Sequence, residues 1–316
     1  MANTLITPST IAPAALASLY ETTQMLPLVY TDVSSAFGPQ KVGNTVNVRK
    51  PAVFTAATFN RGTGIVPQDA TESTVPVVLD TIKDVSFVVT SEDLTLSVTD
   101  FQAQFLDPAM EALAQAVDQA LIARAKADFT TIVGAGTNVG SAVPGEAPKT
   151  NRWQQPEVLI DAGKELNIKK VPPGDRVAVV GPTTNANWLD SQILKHVDKS
   201  GTNEALRAAS IGRNLFGFDA YWSQNIVQPA GSPATGQPTT EVSLAFHKTA
   251  LAFASTPLEV APGSNASVQS YKGLSIRVAY DYDIKYKQTV VSLDILFGTK
   301  TLDANRGVLI RGPLQP

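Results

Sequence analysis

The residues with the widest chemical range in this chain are few and far apart. His196 and His247 are the two histidines, 51 positions apart. Neither belongs to an HExxH pattern, and with no cysteine in the chain a zinc site has no donor set. A serine nucleophile would need one of these histidines as its base, and no GxSxG elbow occurs. Both therefore read as ordinary surface or packed histidines. Gly134-Ala-Gly136-Thr-Asn-Val-Gly140 has the look of a dinucleotide loop. That chemistry needs a preceding strand and a following helix, whose N-terminus holds the phosphates. Here the glycines follow a long helical stretch and run into Ser141-Ala-Val-Pro-Gly-Glu-Ala-Pro148, which reads as a flexible loop. No Walker A sequence is present. Asp281 and Asp283 share one face of a strand, with Tyr280 and Tyr282 on the other. Paired carboxylates can bind a cation or move protons. No further ligand is close in sequence, so a solvated or interface-facing strand edge is the simpler reading. Asn265-Ala-Ser267 matches a glycosylation acceptor by chance in a cytosolic setting. No catalytic, cofactor-binding or metal-binding residue emerges, and no cofactor is expected.

Composition points the same way. The 316 residues are 43% hydrophobic and 17% charged, enough for a sizeable core and about two domains. The net charge of −3 suits neither a nucleic-acid binder nor a membrane-surface protein. The lack of cysteine fits an intracellular folding site. Residues 1–20 carry no charged side chain, but they lack a basic n-region, and Pro8 and Pro13 interrupt them, so they do not read as a signal peptide. No uncharged apolar run is long enough for a membrane helix. Charge is uneven. Residues 1–128 hold 7 basic and 13 acidic side chains, residues 129–271 hold 11 of each, and residues 272–316 hold 7 and 4. The spread reads either as surface scatter or as acidic and basic parts of neighbouring copies facing one another. The C-terminal cations Lys272, Arg277, Lys285, Lys287, Lys300, Arg306 and Arg311 fall short of the excess that nucleic-acid recognition needs.

The elements that would carry these residues follow from periodicity. Residues 1–42, broken by Pro8, Pro13, Pro27 and Pro39, read as an extended arm draped over something else, with one short helix from Pro13 to Thr22. Residues 43–90 read as a long β-hairpin. Val46 and Val48 alternate with Thr45, Asn47 and Arg49, a turn-rich loop covers Asn60–Glu72, and the returning run passes from Ser73 through Val77, Leu79, Val85, Phe87 and Val89. Such a projection has little core of its own and calls for a partner. The clearest helix is 108–129, with Asp107 as its N-cap and Pro108 in first position. Met110, Leu113, Val117 and Leu121 form its apolar face; Glu111, Gln115, Asp118, Gln119 and Lys126 are assigned to the polar one. A second helix is expected at 156–168, a buried strand at Val177–Val180 and a helical piece from about Thr184. Asn225–Glu241 reads as a loop, and strands are expected at Val242–Phe246, Leu274–Tyr282 and Thr289–Phe297.

Two stretches, in this order of elements, resemble a known family. One is Lys83-Asp-Val-Ser-Phe-Val-Val-Thr-Ser-Glu-Asp-Leu94 leading through Phe101 to Pro108-Ala-Met-Glu-Ala-Leu-Ala-Gln-Ala-Val-Asp-Gln-Ala-Leu121. The other is Leu206-Arg-Ala-Ala-Ser-Ile-Gly-Arg-Asn-Leu-Phe-Gly-Phe-Asp-Ala-Tyr-Trp-Ser-Gln-Asn225, followed by His247-Lys-Thr-Ala-Leu-Ala-Phe253. They are similar to the major capsid proteins of tailed bacteriophages, whose α+β architecture (the Johnson fold) also serves encapsulins and the herpesvirus shell floor.

The resemblance covers nearly the whole chain and implies its layout. Residues 1–42 would be the N-terminal arm and 43–83 the extended hairpin loop. Residues 84–149 would be a peripheral domain with its spine helix at 108–129. Residues 150–272 would be an α/β axial domain, and 273–316 the return strands of the peripheral domain. It implies a non-enzymatic subunit of an icosahedral shell around phage double-stranded DNA, located in the virion and assembled in the host cytoplasm. An encapsulin-like compartment is the alternative, and an α/β enzyme the alternative of another class. Implied partners are other copies in hexamers and pentamers, a separate scaffolding protein, a portal, a possible decoration protein, and DNA by weak non-specific contact; no membrane is involved. The chain would begin at the arm without a built-in scaffold, and Gln228–Glu241 is too short for a large inserted domain. The hairpin from Phe54 to Ile82 has no lysine for an isopeptide cross-link. Candidate assembly residues are Phe54, Phe59, Arg61, Ile65, Asp69, Glu72, Lys285 and Lys287. Gly212 and Gly217, as turn glycines of the axial domain, would serve a tight turn and a close backbone approach.

Overall fold

A computed structural model describes residues 23–31, 43–50, 73–91, 105–135, 152–191, 214–271 and 274–316, with isolated positions between 54 and 64 and at 194. In chain order these form β1 (Thr45–Lys50), β2 (Ser73–Val78), β3 (Thr81–Thr90), α1 (Asp107–Asp128), β4 (Thr131–Val133), α2 (Val158–Ile168) and β5 (Arg176–Val180). There follow α3 (Pro182–Leu189), β6 (Asp219–Trp222), β7 (Ser243–His247), β8 (Leu251–Thr256), β9 (Asn265–Tyr271), β10 (Leu274–Asp283), β11 (Gln288–Thr301) and β12 (Gly307–Ile310). The architecture is α+β.

α1 is the centre of the molecule. Its 22 residues make a rod of about 33 Å. Asp107 does not cap it. The chain is already helical at Leu106 (φ −74°, ψ −47°), so Asp107 lies inside the first turn beside Pro108. Met110, Leu113, Val117 and Leu121 are buried as their spacing requires, and Ala109, Ala114, Ile122 and Ala125 widen the buried face. Asp118, assigned above to the polar face, is buried as well, at 1% exposure.

Two sheets share this helix. In the first, β3, β11, β10 and β9 lie side by side and antiparallel, and β8 pairs with the far half of β11. Alternate residues face α1, among them Ile276 and Val278 of β10 and Val291, Leu293 and Ile295 of β11, with Val85 and Phe87 of β3 partly buried beside them. The second sheet has the order β4-β12-β7-β5-β6, with β12–β4 and β5–β6 parallel. Every residue of β5 and β7 is buried. Val177, Val179, Leu244 and Phe246 join the core around α1. Ala178, Val180 and Ala245 face the opposite layer, built by Val158, Leu159, Ala162 and Leu166 of α2 and Trp188 of α3. A sheet covered on both faces needs strands that are apolar throughout rather than alternating.

Three expectations are corrected by the strand pairing. The returning run of the hairpin is not one strand. It breaks after Val78, β2 pairing with β1 (Thr45 opposite Val78) and β3 with β11. The break arises because Val77 and Leu79 bury against Ala252 and Ala254 where the chain crosses β11 at Gly298. Second, the boundary at 272/273 does not follow the sheets. β8 and β9, expected in the axial part, pair with β11 and β10, whereas β12, expected among the return strands, lies between β4 and β7. All four residues of β12 are buried, which suits the interior of the doubly covered sheet. Third, residues 23–31 of the expected arm, read as draped over something else, pack on the body of their own subunit. Met25, Leu26, Leu28 and Val29 enter the core around α1, and Tyr30 forms a parallel bridge to Ala252.

Candidate assembly surfaces

The β1/β2 hairpin is the least self-sufficient part of the described chain. Only its base has a core, where Val77 and Leu79 meet Ala252 and Ala254, with Tyr30, Val48 and Leu296 packed alongside. Beyond the strands Phe54 and Phe59 are 62% and 64% exposed, and Arg61 is exposed. Ile65, Asp69 and Glu72 lie outside the described residues, as do the expected helix at 13–22, His196 and Gly212. The hairpin's departure point is set by Gly298. A Cβ there would overlap the Val78 carbonyl oxygen and come within 2.8 Å of its carbon and 3.3 Å of Leu79 Cα. Only glycine lets the two backbones cross so closely.

A second projection is the β10–β11 turn. Asp283 Oδ1 accepts hydrogen bonds from the Lys285 (2.8 Å) and Tyr286 (3.3 Å) amides, so this carboxylate caps a turn. The turn displays Ile284 and Tyr286, 71% and 62% exposed. Lys285 Nζ stands 5.1 Å above the Tyr286 ring, and Lys287 is exposed in the left-handed conformation (φ 52°).

Asp118 is the feature that sequence reasoning missed. Its Oδ1 accepts from the Met25 amide (3.0 Å), and its Oδ2 accepts from the Gln24 amide (3.1 Å) and from Asn225 Nδ2 (3.2 Å). One carboxylate thus joins the helix, the N-terminal segment and the loop after β6. The Ser223-Gln-Asn225 motif acquires a physical role here, because Ser223 Oγ accepts from the Asn225 amide (3.2 Å) and steadies the loop. Burial pushes the Asp118 pKa up, and the three hydrogen bonds oppose that shift. The signal was present in the spacing: 118 is four after the buried Ala114 and three before Leu121.

The other end of the 225–241 loop is fixed in the same manner. The buried Glu241 carboxylate accepts from the Thr183 amide (3.2 Å), the Thr184 amide and Gln228 Nε2, and so caps α3 from a distance. Burial lowers the pKa of Lys126 at the far end of α1, and Glu241 opposes the shift.

The remaining candidates resolve into structural roles. His247 is buried, and its Nδ1 accepts from the Thr249 amide (3.2 Å). Gly134 follows β4 rather than α1 directly, and its φ of 87° places it against Trp153 Cβ and the Arg311 carbonyl. Gly217 (φ 82°) forms a turn with Phe216 (φ 51°), closed by two hydrogen bonds between Leu215 and Phe218. It does not serve a close approach, since a Cβ there would meet nothing within 4 Å. Among the described residues no three His, Asp or Glu side chains gather to hold a metal ion, and no helix is long and apolar enough to cross a membrane.

No family model matches this sequence, and no curated protein matches it. Its fold does match solved structures. It is similar to a chain of Mycobacterium phage Che8 at 22% identity, covering 91% of this chain and 90% of that one, with a TM-score of 0.63. It is similar to a chain of the capsid of the cyanophage P-SCSP1u at 16% identity, covering 86% and 84%, with a TM-score of 0.59. A virus-like particle from Pyrococcus furiosus matches at 13% identity over 96% and 98%, with a TM-score of 0.52. Central helix, projecting hairpin and paired sheets together give this chain the major-capsid fold of the tailed bacteriophages.

Proposed function

We propose that many copies of this chain assemble into a closed icosahedral shell, the capsid of a phage, around double-stranded DNA. The observation that carries the reading is the β1/β2 hairpin, which extends from a small basal core to Phe54 and Phe59, both mostly exposed. Covering what remains exposed of each Phe contributes on the order of 1–2 kcal/mol. The hairpin, with Arg61, Ile65, Asp69 and Glu72, lies across the adjacent subunit of the same ring. The β10–β11 turn, with Lys285 and Lys287, makes a second contact. The sheet of β5 and β7 belongs to the part near the axis of hexamers and pentamers, and the sheet of β10 and β11 to the periphery, with α1 as the spine between them. In this layout β8 and β9 go with the periphery and β12 with the axial part, following their strand partners. The reaching arm is then residues 1–22, because 23–31 are held by their own subunit.

The role is structural, without catalysis or cofactor. Contacts between copies are individually modest, and closure multiplies them. Maturation is a rigid-body rotation with a bend in α1 and a shift of the hairpin. A scaffolding protein, a portal and a decoration protein are the partners this reading calls for, with assembly in the host cytoplasm and the virion as destination. The likeness to the Pyrococcus particle supports a second reading, a compartment for protein cargo, at the lower TM-score.

Expression with the neighbouring genes, followed by electron microscopy and sizing chromatography, tests the proposal. Particles of megadalton mass are expected. A stable monomer would refute the shell reading, and particles filled with a protein cargo would favour the second. Deleting Arg61–Thr71 should leave a folded subunit that forms no closed shell; shells that still assemble and survive dilution would refute the hairpin's role.

A further inference from the structure

Positive charge collects at one corner of the second sheet. Arg176 opens β5 at 6% exposure. Its guanidinium donates only to neutral acceptors: the carbonyls of Pro172 (2.9 Å) and Val171 (2.7 Å) and Asn167 Oδ1 (2.7 Å). A buried cation is ordinarily compensated by a carboxylate, and among the described residues none forms an ion pair with this one. In front of Val171 opens a cavity of 280 Å³ lined by Lys169, Lys170, Asp303, Asn305 and Arg306, three cations against one acid. Exposed Lys248 stands in the adjoining turn, which packs against 304–306. The local potential registers on His247, whose pKa is lowered by burial first and then by Arg306 and Arg176, with Asp175 opposing.

The free charges have a particular chemistry. Arg306 is engaged within the fold, Nε facing Asp303 Oδ2 at 3.4 Å and Nη1 donating to Thr249 Oγ1. Lys169 donates to Thr131 Oγ1. Among the described residues the ammonium groups of Lys170 and Lys248 form no ion pair, and they are point charges rather than a planar fork. A phosphate, whose charge is spread over several oxygens, needs no planar fork and can be held by lysines as point charges.

We propose that this corner binds a phosphate of the DNA backbone. The inference rests on the shell reading, which brings DNA against many copies. The net charge of −3 leaves the surface as a whole unsuited to DNA. One small cationic cavity per copy, repeated over a shell, gives weak contacts that multiply.

The test titrates full-length protein, in the oligomers it forms on expression, with a short fluorescent DNA duplex between about 50 and 200 mM salt. Lys170→Asn keeps a residue tolerant of the φ of 57° at that position. Combined with Lys248→Gln, it should flatten the salt dependence by about 0.9 for each phosphate that is no longer neutralised and weaken binding several-fold at low salt. Lys83→Gln, on exposed β3 in the other sheet, should leave the slope unchanged. The proposal is overturned if the double variant keeps the wild-type slope or if Lys83→Gln flattens it equally. It is also overturned if poly-glutamate displaces the duplex more readily than inorganic phosphate does, which would assign the corner to an acidic protein segment. Sizing chromatography of the same samples separates the two levels. Normal particles with an unchanged slope refute the site alone; absence of particles refutes the reading beneath it.

Discussion

Gly298→Ala tests the crossing of hairpin and sheet most directly. The added Cβ would overlap the Val78 carbonyl oxygen and sit 2.8 Å from its carbon and 3.3 Å from Leu79 Cα. All three are backbone atoms, so no side-chain rotation relieves the clash. Either β11 or the hairpin base must move. Strain of this kind costs about 1–3 kcal/mol. If the base lifts instead, Val77 and Leu79, now 0% and 6% exposed, lose part of their packing on Ala252 and Ala254. Complete exposure would cost about 1.5–3 kcal/mol for each side chain. A net loss of about 2 kcal/mol corresponds to a fall in Tm of about 3 °C for a chain of 316 residues. The hairpin would also leave the body at a different angle, so shell yield should fall further than the loss of stability explains. Thermal melting of the subunit and electron microscopy of the assembly mixture read the two effects. Gly231→Ala is the control, since its Cβ would meet nothing within 4 Å and no positive φ is involved. If Gly298→Ala melts with the wild type and closes shells at the wild-type yield, the crossing does not position the hairpin.

Two further perturbations address the joints of the fold. Asp118→Ala leaves the Gln24 and Met25 amides and Asn225 Nδ2 without their acceptor and should cost about 3 kcal/mol, with faster proteolysis of residues 1–31. Because the folded pKa of Asp118 is raised above 3.8, the folded chain holds that proton more tightly than the unfolded one. The stabilisation is full below 3.8 and lost as pH rises through the folded pKa. Denaturant melts should therefore show wild type gaining on Asp118→Asn as pH falls from 7 towards 4; a gap independent of pH would refute the assignment. Arg277 holds Asp294 through Nε at 3.1 Å to both carboxylate oxygens, and Asp294 is 6% exposed. Arg277→Ala should cost about 3 kcal/mol by stranding that charge, and adding Asp294→Asn should recover part of the loss in Tm; a double variant less stable than the single one would contradict this account.

What could be read from residues alone was whatever depends on local periodicity. The apolar spacing Met110, Leu113, Val117, Leu121 specifies α1 wherever it lies, because a 3.6-residue turn stacks those positions on one face. The unbroken run Val177–Val180 marks a strand covered on both sides. The alternation at Val46 and Val48 marks a hairpin strand.

Tertiary structure decided what depends on residues distant in sequence. Nothing near Gly298 announces Val78, which reaches it across 220 positions. Nothing around Gly307–Ile310 says that it joins β7 and β4 rather than the neighbouring β11, because strands of that length are interchangeable until the sheet they enter is known. Asp118 is the sharpest case. A carboxylate on a helix reads as solvated unless donors come to meet it, and here they come from residues 24, 25 and 225. Burying such a group is tolerable only when those hydrogen bonds form, and they exist only once the chain has folded.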